Sequence, residues 1–483
     1  MELKQEKQIQ KEHIPFIPMM ILIAVTNFSA QMNTTAVSIL LPVFMEDFQA
    51  DIILVQWVVT AYILATCIIA PVVGYISDRI SVKKTFLMAA AGFCFCTLLL
   101  GFASNIYYLI IMRIAQGIFG GMLMPLTQSM IYRYFPTEKQ AKAVSIWATT
   151  NLIAPTIAPS IAGAIADAFS WRFIFFSVFP IVLTVIIAAI KMLPKRTEEE
   201  KTEQHKFDYS GLLLSIIGSM SLLLAFSNIT VWGLFSIPVI ALIAIGLFAM
   251  VLFFYTESKK AFPLLHVKVF SYKGFLSSVI VLCVGSTLIQ TSNNIVPIFL
   301  QDIRGFTTTQ SALILLPAPL TIMFIVPLLG KYYDRIGPQK MLYTILCCGV
   351  FACFVLGKIN LESSVPFIIL ALILRDIGSG TLNMPATNMG MQTIPVQYTT
   401  HAAAVTSWAR QCVTSLSIGL AQTFQKSRIE HYMNKLDMAE TDVLYKTSYC
   451  SAMSDLFHII VLCFIIGILA VYFSKPNKNI SKK

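Results

Sequence analysis

Ionisable residues that interrupt long apolar runs are the residues of this sequence best suited to chemistry. The main candidates among them are Arg113 and the adjacent pair Arg375 and Asp376. A charge at the centre of a bilayer costs about 2.5–3.5 kcal/mol on insertion scales, so such groups usually face a cavity and have a function. A carboxyl group can bind and release a proton; burial raises its pKa and a neighbouring arginine lowers it. Asp376 is therefore a candidate proton carrier. The other interpretation, a local ion pair that balances charge near the membrane face, stays open.

Arg113 and Gln116 lie three residues apart, so a helix would place them on one face. An arginine at this position can act inside a helical bundle. It can also extend along the helix to reach water at the interface. The sequence leaves both interpretations open.

Amide side chains form a second group of candidates. They occur in the first apolar run at Gln31 and Asn33, and in the ninth at Gln290, Asn293 and Asn294. An amide donates and accepts hydrogen bonds but does not exchange a proton. These five residues are predicted to line a substrate cavity.

The amino-acid composition indicates the kind of structure that positions these residues. The chain has 483 residues, of which 57% are hydrophobic and 12% charged, and its mean hydropathy is +0.75. Soluble domains have about 25% charged residues. The apolar residues come in runs near the length that crosses a bilayer. We therefore expect an all-α polytopic membrane protein.

The apolar runs predict about fourteen transmembrane helices. Their approximate limits are 15–42, 53–76, 85–103, 106–128, 141–165, 172–193, 209–228, 233–255, 274–298, 310–330, 340–358, 365–386, 401–424 and 454–474. The net charge of +11 is concentrated in alternate loops, as the positive-inside rule requires, rather than in a nucleic-acid-binding patch. Both termini are predicted to be cytoplasmic, and the first span to be retained rather than cleaved.

Two short charged segments between apolar runs resemble each other. Each has a glycine that we expect to close a helix in the left-handed conformation, followed by Asp-Arg four residues on. Lysines then open the next helix. Two copies predict two related helical halves. The first copy contains Gly74, Asp78, Arg79 and Lys83, and the second contains Gly330, Asp334 and Arg335.

This pattern resembles the cytoplasmic loop signature of the major facilitator superfamily, whose two halves rock around a central cavity. Gly337 matches the family's glycine, and Ser81 takes its place in the first copy. Arg113 with Gln116 and Gly117 resembles the family's Arg-x-x-Gln-Gly motif, in which the arginine takes part in proton coupling. The resemblance thus favours the functional interpretation of Arg113.

The arrangement is similar to the fourteen-span drug:proton antiporters of that superfamily, in which two extra helices separate the six-helix halves. We expect residues 1–194 to form the N-terminal half, 195–208 a cytoplasmic linker, 209–255 the two extra helices, 256–273 a second cytoplasmic linker, 274–474 the C-terminal half and 475–483 a cytoplasmic tail.

The fifth span resembles the antiporter signature Gly-Pro-x-x-Gly-Gly. Its matching residues are Ala158, Pro159, Ala162 and Gly163, with alanines in place of two glycines. Small residues allow close helix packing and proline bends a helix, so a functional bend and ordinary packing are both open.

In the first span Asn33 stands where the family has aspartate, which places proton coupling through that position in doubt.

These features predict a secondary transporter that exports amphipathic small molecules by alternating access, driven by protons. The expected partners are a small-molecule substrate, protons and membrane lipids, with no nucleic acid, and the expected state is a monomer in a bacterial inner membrane. Asn33 motivates the alternative of a uniporter or uncoupled carrier of a metabolite or siderophore-like compound. An enzyme or sensor is disfavoured because the loops contain no nucleophile motif or phosphate-binding glycine loop.

The cysteines give no reason to expect a metal or cofactor. Nine of the ten lie in apolar runs, and Cys450 is predicted to lie in a polar loop. Their spacing matches neither a metal site nor a disulfide framework.

Overall fold

The computed structural model describes residues 15–38, 40–194, 208–260, 263, 265–435 and 442–474. These ranges form α-helices joined by short loops, with three 3₁₀ turns and one π turn, and contain no strand. The helices are α1 Phe16–Ser38, α2 Leu41–Phe48, α3 Ile52–Ile80, α4 Val82–Leu100, α5 Ile106–Tyr134, α6 Thr137–Ala168, α7 Arg172–Met192, α8 Tyr209–Trp232, α9 Ile237–Lys259, α10 Lys273–Ile298, α11 Thr308–Leu315, α12 Pro317–Ile336, α13 Pro338–Gly357, α14 Val365–Ser379, α15 Asn383–Gln392, α16 Thr399–Lys435 and α17 Asp442–Phe473.

Twelve helical segments of the described chain are long and apolar enough to cross a membrane. They coincide with twelve of the predicted spans, so the all-α polytopic class is confirmed. The fifth and thirteenth predicted spans correspond to α6 and α16, two long helices that are not among the twelve. Both are rich in serine, threonine and other polar residues, which lowers their hydropathy. The count of fourteen therefore stays a prediction.

The chain divides into two compact units. The first contains residues 1–207 and 399–404, and the second contains residues 208–398 and 405–483. The predicted linker 195–208 lies outside the described residues except for its last position, and the tail 475–483 lies wholly outside them.

One arrangement of helices occurs in both units. In the first, α3 packs on α5, α4 packs on α5 and α7, and α1 packs on α7. In the second, α12 packs on α14, α13 packs on α14 and α17, and α10 packs on α17. Helices α10, α12, α13, α14 and α17 thus repeat the roles of α1, α3, α4, α5 and α7. The second unit also holds the closely paired helices α8 and α9.

The two charged segments that begin at Gly74 and Gly330 are called the hinge segments below. Their glycines do not close helices, and that prediction was wrong. Gly74 lies inside α3 and Gly330 lies inside α12. The left-handed backbone occurs seven residues later in each copy, at Ser81 with φ +104° and at Gly337 with φ +82°. At Gly74 the glycine serves a close approach instead, because a Cβ there would lie 2.3 Å from Nδ1 of His401.

Ser81 holds a backbone conformation that only glycine adopts readily, with φ +104° and ψ 152°. Such a residue costs about 1–3 kcal/mol of backbone strain. In return, the Ser81 hydroxyl accepts a hydrogen bond from the backbone N–H of Lys84 and caps α4. Replacing a serine cap by glycine costs only a few tenths of a kcal/mol. The strain at Ser81 is therefore larger than the benefit of its cap.

We predict that Ser81→Gly raises the free energy of unfolding by about 1 kcal/mol, because it removes more strain than capping. The reciprocal change, Gly337→Ala, is expected to lower it by a similar amount. Thermal unfolding of the detergent-solubilised variants measures both. A Ser81→Gly protein that unfolds at a lower temperature than the wild type would contradict this explanation.

A buried polar cluster ties the start of α8 to the end of α9. Asp208 caps α8 by accepting a hydrogen bond from the N–H of Gly211 at 2.9 Å, and Lys260 donates to both Asp208 and Glu257. Burial alone would raise the pKa of Asp208. Its hydrogen bonds with Glu257, Lys260 and the backbone outweigh that effect and hold the pKa below its ordinary value. The charged form of Asp208 is thus part of what fixes the α8–α9 pair.

The region between the thirteenth and fourteenth predicted spans, 425–453, is mostly helical in its described part. α16 continues to Lys435 and α17 begins at Asp442. Cys450 accordingly lies buried within α17 rather than in a loop. Arg428 of α16 donates a hydrogen bond to Asp455 of α17. A pair of this kind satisfies the charged groups of two neighbouring helices, so a polar stretch of sequence need not be a loop.

Candidate functional site

Arg113 is fully buried in α5, so it does not extend to water. Its Nη1 donates to Oδ1 of Asn33 on α1 at 2.8 Å and to Oε1 of Gln116 at 2.7 Å. Its Nε donates to the carbonyl of Val58 on α3 at 3.1 Å. The guanidinium also stacks over the ring of Tyr62, 4.1 Å from its centroid. The predicted Arg113–Gln116 pairing is therefore present and joins α1, α3 and α5.

Gln116 extends this network to a fourth helix. Its Nε2 donates to the hydroxyl of Thr97 on α4 at 2.8 Å, and Thr97 in turn donates to the carbonyl of Phe93. Gln116 is fully buried. Because a buried amide needs partners on both its atoms, this geometry fixes the side chain and, through it, one side of Arg113.

The second unit contains a corresponding site at Arg375 and Asp376, each 4% exposed on α14. Arg375 Nε donates to Asp376 Oδ1 at 2.8 Å, and its Nη2 lies 2.7 Å from the same oxygen. Nη1 donates to Ser292 Oγ and Asn293 Oδ1 on α10, both at 3.0 Å. The ion pair is thus buried, and both interpretations of Asp376, a proton carrier and a local pair that balances charge near the membrane face, stay open.

The two arginines occupy matching places in their units. Arg113 on α5 reaches α1, and Arg375 on α14 reaches α10, the helix that repeats the role of α1. They differ in their partners, because Arg375 is paired with a carboxylate whereas Arg113 is held by neutral oxygens. Any proton exchange at these two sites therefore falls to Asp376.

The five amide residues predicted to line a cavity differ in their burial and in their hydrogen bonds. Asn33 is 1% exposed and bonded to Arg113, whereas Asn293 is exposed overall but accepts from Arg375. Asn294 donates to the backbone carbonyl of Gln290 within the same helix turn. Gln31 and Gln290 are half-buried. The structure thus brings Asn33 and Asn293 to the arginines; the cavity role of all five stays a prediction.

The antiporter-signature residues lie within one uninterrupted helix, α6. Ala158 and Ala162 are fully buried in an apolar cluster that also contains Ala36 and Val37 of α1. A Cβ added at Gly163 would meet nothing within 4 Å. The side chain of Pro159 lies outside what the structure describes. Close packing by small residues therefore holds for the two alanines and not for Gly163.

The hinge residues of the first unit bind neighbouring helix ends. Asp78 Oδ2 lies 2.8 Å from Nε2 of the fully buried His401, at the start of α16, and its Oδ1 lies 4.0 Å from Arg133. Lys83, in the first turn of α4, donates to the carbonyls of Ile190 and Leu193 at the end of α7. Lysine thus caps the last carbonyls of a helix.

The remaining hinge residues are less engaged with the core. Arg79 is exposed and donates to the hydroxyl of Tyr75 at 3.4 Å. Asp334 and Arg335 are exposed near the end of α12, and Gly330 is buried within that helix. A role of these residues in conformational change stays a prediction.

Several site residues were missed by sequence reasoning. Tyr62 stacks on Arg113 and His401 binds Asp78, but neither belongs to a recognisable spacing. Asn27 is 1% exposed on α1 and donates to Thr150 Oγ1 and Asn151 Oδ1 of α6, both at 2.9 Å. Asn27 lies six positions before Asn33. A search for every amide in the first span would have found it.

Membrane-length helices repeated in two units, each with a buried arginine that joins its helices, define a polytopic helical membrane protein. The chain belongs to the Major Facilitator Superfamily, whose family model matches residues 23–418. It is therefore a transporter of small molecules rather than an enzyme.

Similar proteins agree with this assignment. The uncharacterised MFS-type transporter YhcA of Bacillus subtilis is 29% identical over 443 residues, covering 91% of this chain and 83% of that protein. The fatty acid resistance protein FarB of Neisseria gonorrhoeae is 25% identical, covering 83% of this chain and 79% of the relative. The multidrug export protein EmrB of Escherichia coli K12 is 23% identical, covering 88% and 83%.

The fold is also similar to a solved structure. The human organic anion transporter MFSD10 (TETRAN) superposes with a TM-score of 0.66 at 11% sequence identity, covering 95% of this chain and 99% of that one. This likeness concerns the fold. It supports the expectation of a major facilitator architecture that the hinge segments gave.

Proposed function

We propose that this protein exports amphipathic small molecules across a bacterial plasma membrane in exchange for protons, as a monomer with both termini cytoplasmic. The observation that carries the proposal is the buried ion pair of Asp376 and Arg375, which is bonded to Ser292 and Asn293 of α10. A carboxyl group so placed can exchange a proton and change the charge of a site that joins two helices. Relatives named for multidrug export and fatty acid resistance support the amphipathic substrate class.

Protonation of Asp376 would change the local structure in a definite way. With the carboxylate neutralised, Arg375 keeps its charge but loses its only carboxylate partner among the described residues. A buried charge without a partner is unfavourable, so the α10–α14 contact would weaken. Proton binding would thereby favour one arrangement of these helices over the other, as alternating access requires.

The test is movement of a permanently charged amphipathic compound into inverted vesicles under an imposed pH gradient. Quaternary ammonium and arylsulfonate compounds are suitable probes, because neither carries a proton across the bilayer by itself. We expect accumulation that collapses when the gradient is dissipated. If neither probe nor any other amphipathic compound moves in a gradient-dependent way, the proposal is wrong.

A second function, uncoupled transport of a metabolite or siderophore-like compound, is favoured by one observation. Asn33, an amide, contacts Arg113 where the antiporters have a carboxylate. In this alternative Asp376 only balances the charge of Arg375. Transport would then proceed down the substrate gradient at a rate that does not depend on the pH gradient.

A further inference from the structure

We infer that Arg113 and Asn33 bind the acidic group, a carboxylate or sulfonate, of the transported compound, so that the substrate class is amphipathic organic acids. The inference rests on the proposed transport function and adds to it the charge of the substrate. It assigns to this site recognition of an anion rather than exchange of a proton.

The first observation is the incomplete bonding of Arg113. A guanidinium has five N–H donors: one on Nε and two on each terminal nitrogen. Nε and Nη1 donate to Val58, Asn33 and Gln116. Nη2 is buried and has no acceptor among the described residues. Two N–H groups on the same charged side chain are thus left to another partner.

The second observation is the bonding of Asn33. Because Arg113 only donates, the oxygen of the Asn33 amide must face it, and this fixes which atom is Nδ2. Nδ2 is buried and also has no acceptor in the part of the chain that the structure describes. A single hydrogen bond of 2.8 Å joins the two side chains, so their unbonded nitrogens belong to directly contacting groups. Both are donors, and both lack an acceptor.

The third observation is the charge at the site. Among the described residues, the groups that bond to Arg113 or stack on it are a backbone carbonyl, two amide oxygens and the ring of Tyr62, and each is neutral. A fully buried cation surrounded by neutral groups, with adjoining free donors, is complementary to an anion. A carboxylate has two acceptor oxygens, as many as there are unbonded nitrogens on Arg113 and Asn33.

The second unit provides an internal comparison. Each of the three nitrogens of Arg375 has a partner, and Asp376 supplies the carboxylate for two of them. An arginine in the matching place therefore has a partner for each of its nitrogens when the chain itself provides a carboxylate. At Arg113 the chain provides an amide, and the acid is left for the ligand to supply.

The experiment measures binding of matched compounds to the purified full chain in lipid nanodiscs at neutral pH. Each set contains one aryl or alkyl tail as the carboxylate, the sulfonate, the neutral amide and the primary amine. Equilibrium dialysis gives the affinities. We expect the acids to bind at least tenfold more tightly than the amides with the same tail.

The informative variant is Asn33→Asp, which has the same size and gives Arg113 an internal carboxylate. It should weaken acid binding at least tenfold and change amide binding less than twofold, a split that a merely structural residue would not produce. Asn228→Asp adds the same charge to another membrane helix, α8, and should leave the acid preference unchanged. If Asn33→Asp does not fold, Arg113→Lys, which lacks the second terminal nitrogen, should reduce the acid preference.

Three results would overturn the inference. In the first, the wild-type protein binds acids and amides equally. In the second, Asn33→Asp keeps the preference for acids. In the third, chloride occupies the site and prevents the acids from binding. Under the first of these, gradient-driven movement of amines or amides would leave the proposed function standing. If acids bind as expected but no compound moves with a pH gradient, the proposed function fails and the binding site remains.

Discussion

Replacing Asp376 by asparagine is expected to abolish pH-gradient-driven accumulation, with a loss of at least about 100-fold. Asparagine has nearly the same shape, and its oxygen can still accept from Arg375 Nε, which now bonds the aspartate at 2.8 Å. It cannot exchange a proton. Exchange of labelled for unlabelled substrate without a gradient needs no proton and should persist. Uptake and exchange by the same inverted vesicles separate the two effects.

Asparagine at position 376 also leaves Arg375 without a charged partner, which costs about 3 kcal/mol or more of stability in a buried pair. Asp376→Glu is therefore measured beside it, because glutamate keeps the proton-binding group and should retain part of the coupled transport. Asp302→Asn removes an exposed carboxylate of the same unit, four residues after the end of α10, and should change transport less than twofold. If Asp376→Asn keeps gradient-driven uptake, Asp376 does not carry the proton.

Gly378→Ala is expected to have the largest effect on folding. α14 crosses α13 at Gly378, where an added Cβ would lie 2.4 Å from the Cα of Gly349 and 2.5 Å from its nitrogen. Backbone atoms cannot move aside as a flexible side chain does, so the helices must separate. Overpacking of this kind costs about 3 kcal/mol. Thermal unfolding and the monodisperse yield after extraction measure the loss.

Gly163→Ala is the matched control, since it makes the same change in α6 where a Cβ meets nothing within 4 Å. It should be neutral or slightly stabilising, because alanine is the better helix former by about 0.5–1 kcal/mol. Equal losses in the two variants would show that contact distance does not decide the cost. A large loss at Gly163 alone would instead favour a conformational role for the antiporter signature.

The sequence predicted much of the fold because membrane helices follow simple rules of length and hydropathy. The duplicated hinge segments and the pairing of Arg113 with Gln116 could also be predicted, since both depend on spacing over a few residues of sequence. The helix ends near the hinge segments could not be predicted. Gly74 looked like a cap, yet it allows the close approach of His401, a contact across more than three hundred positions.

Partners from other helices were the main omission in the candidate site. The sequence named Arg113 and Asn33 separately, but their hydrogen bond depends on how α1 packs beside α5. Tyr62 and Thr97 belong to the network because α3 and α4 also pack beside α5. Neither residue is part of a sequence motif that would have identified it. Burial also had to come from the structure, because a residue's position within a span does not tell whether an arginine reaches water.

The proposed exchange of protons for substrate takes place through the site at Asp376. The most direct measurement uses purified protein in liposomes with a trapped pH-sensitive dye and a gradient of a permanently charged amphipathic compound. We predict that substrate flow in one direction changes the internal pH through proton flow in the other, and that Asp376→Asn and protein-free liposomes show no such change. Substrate movement by the wild-type protein with a constant internal pH would contradict the account and favour an uncoupled carrier.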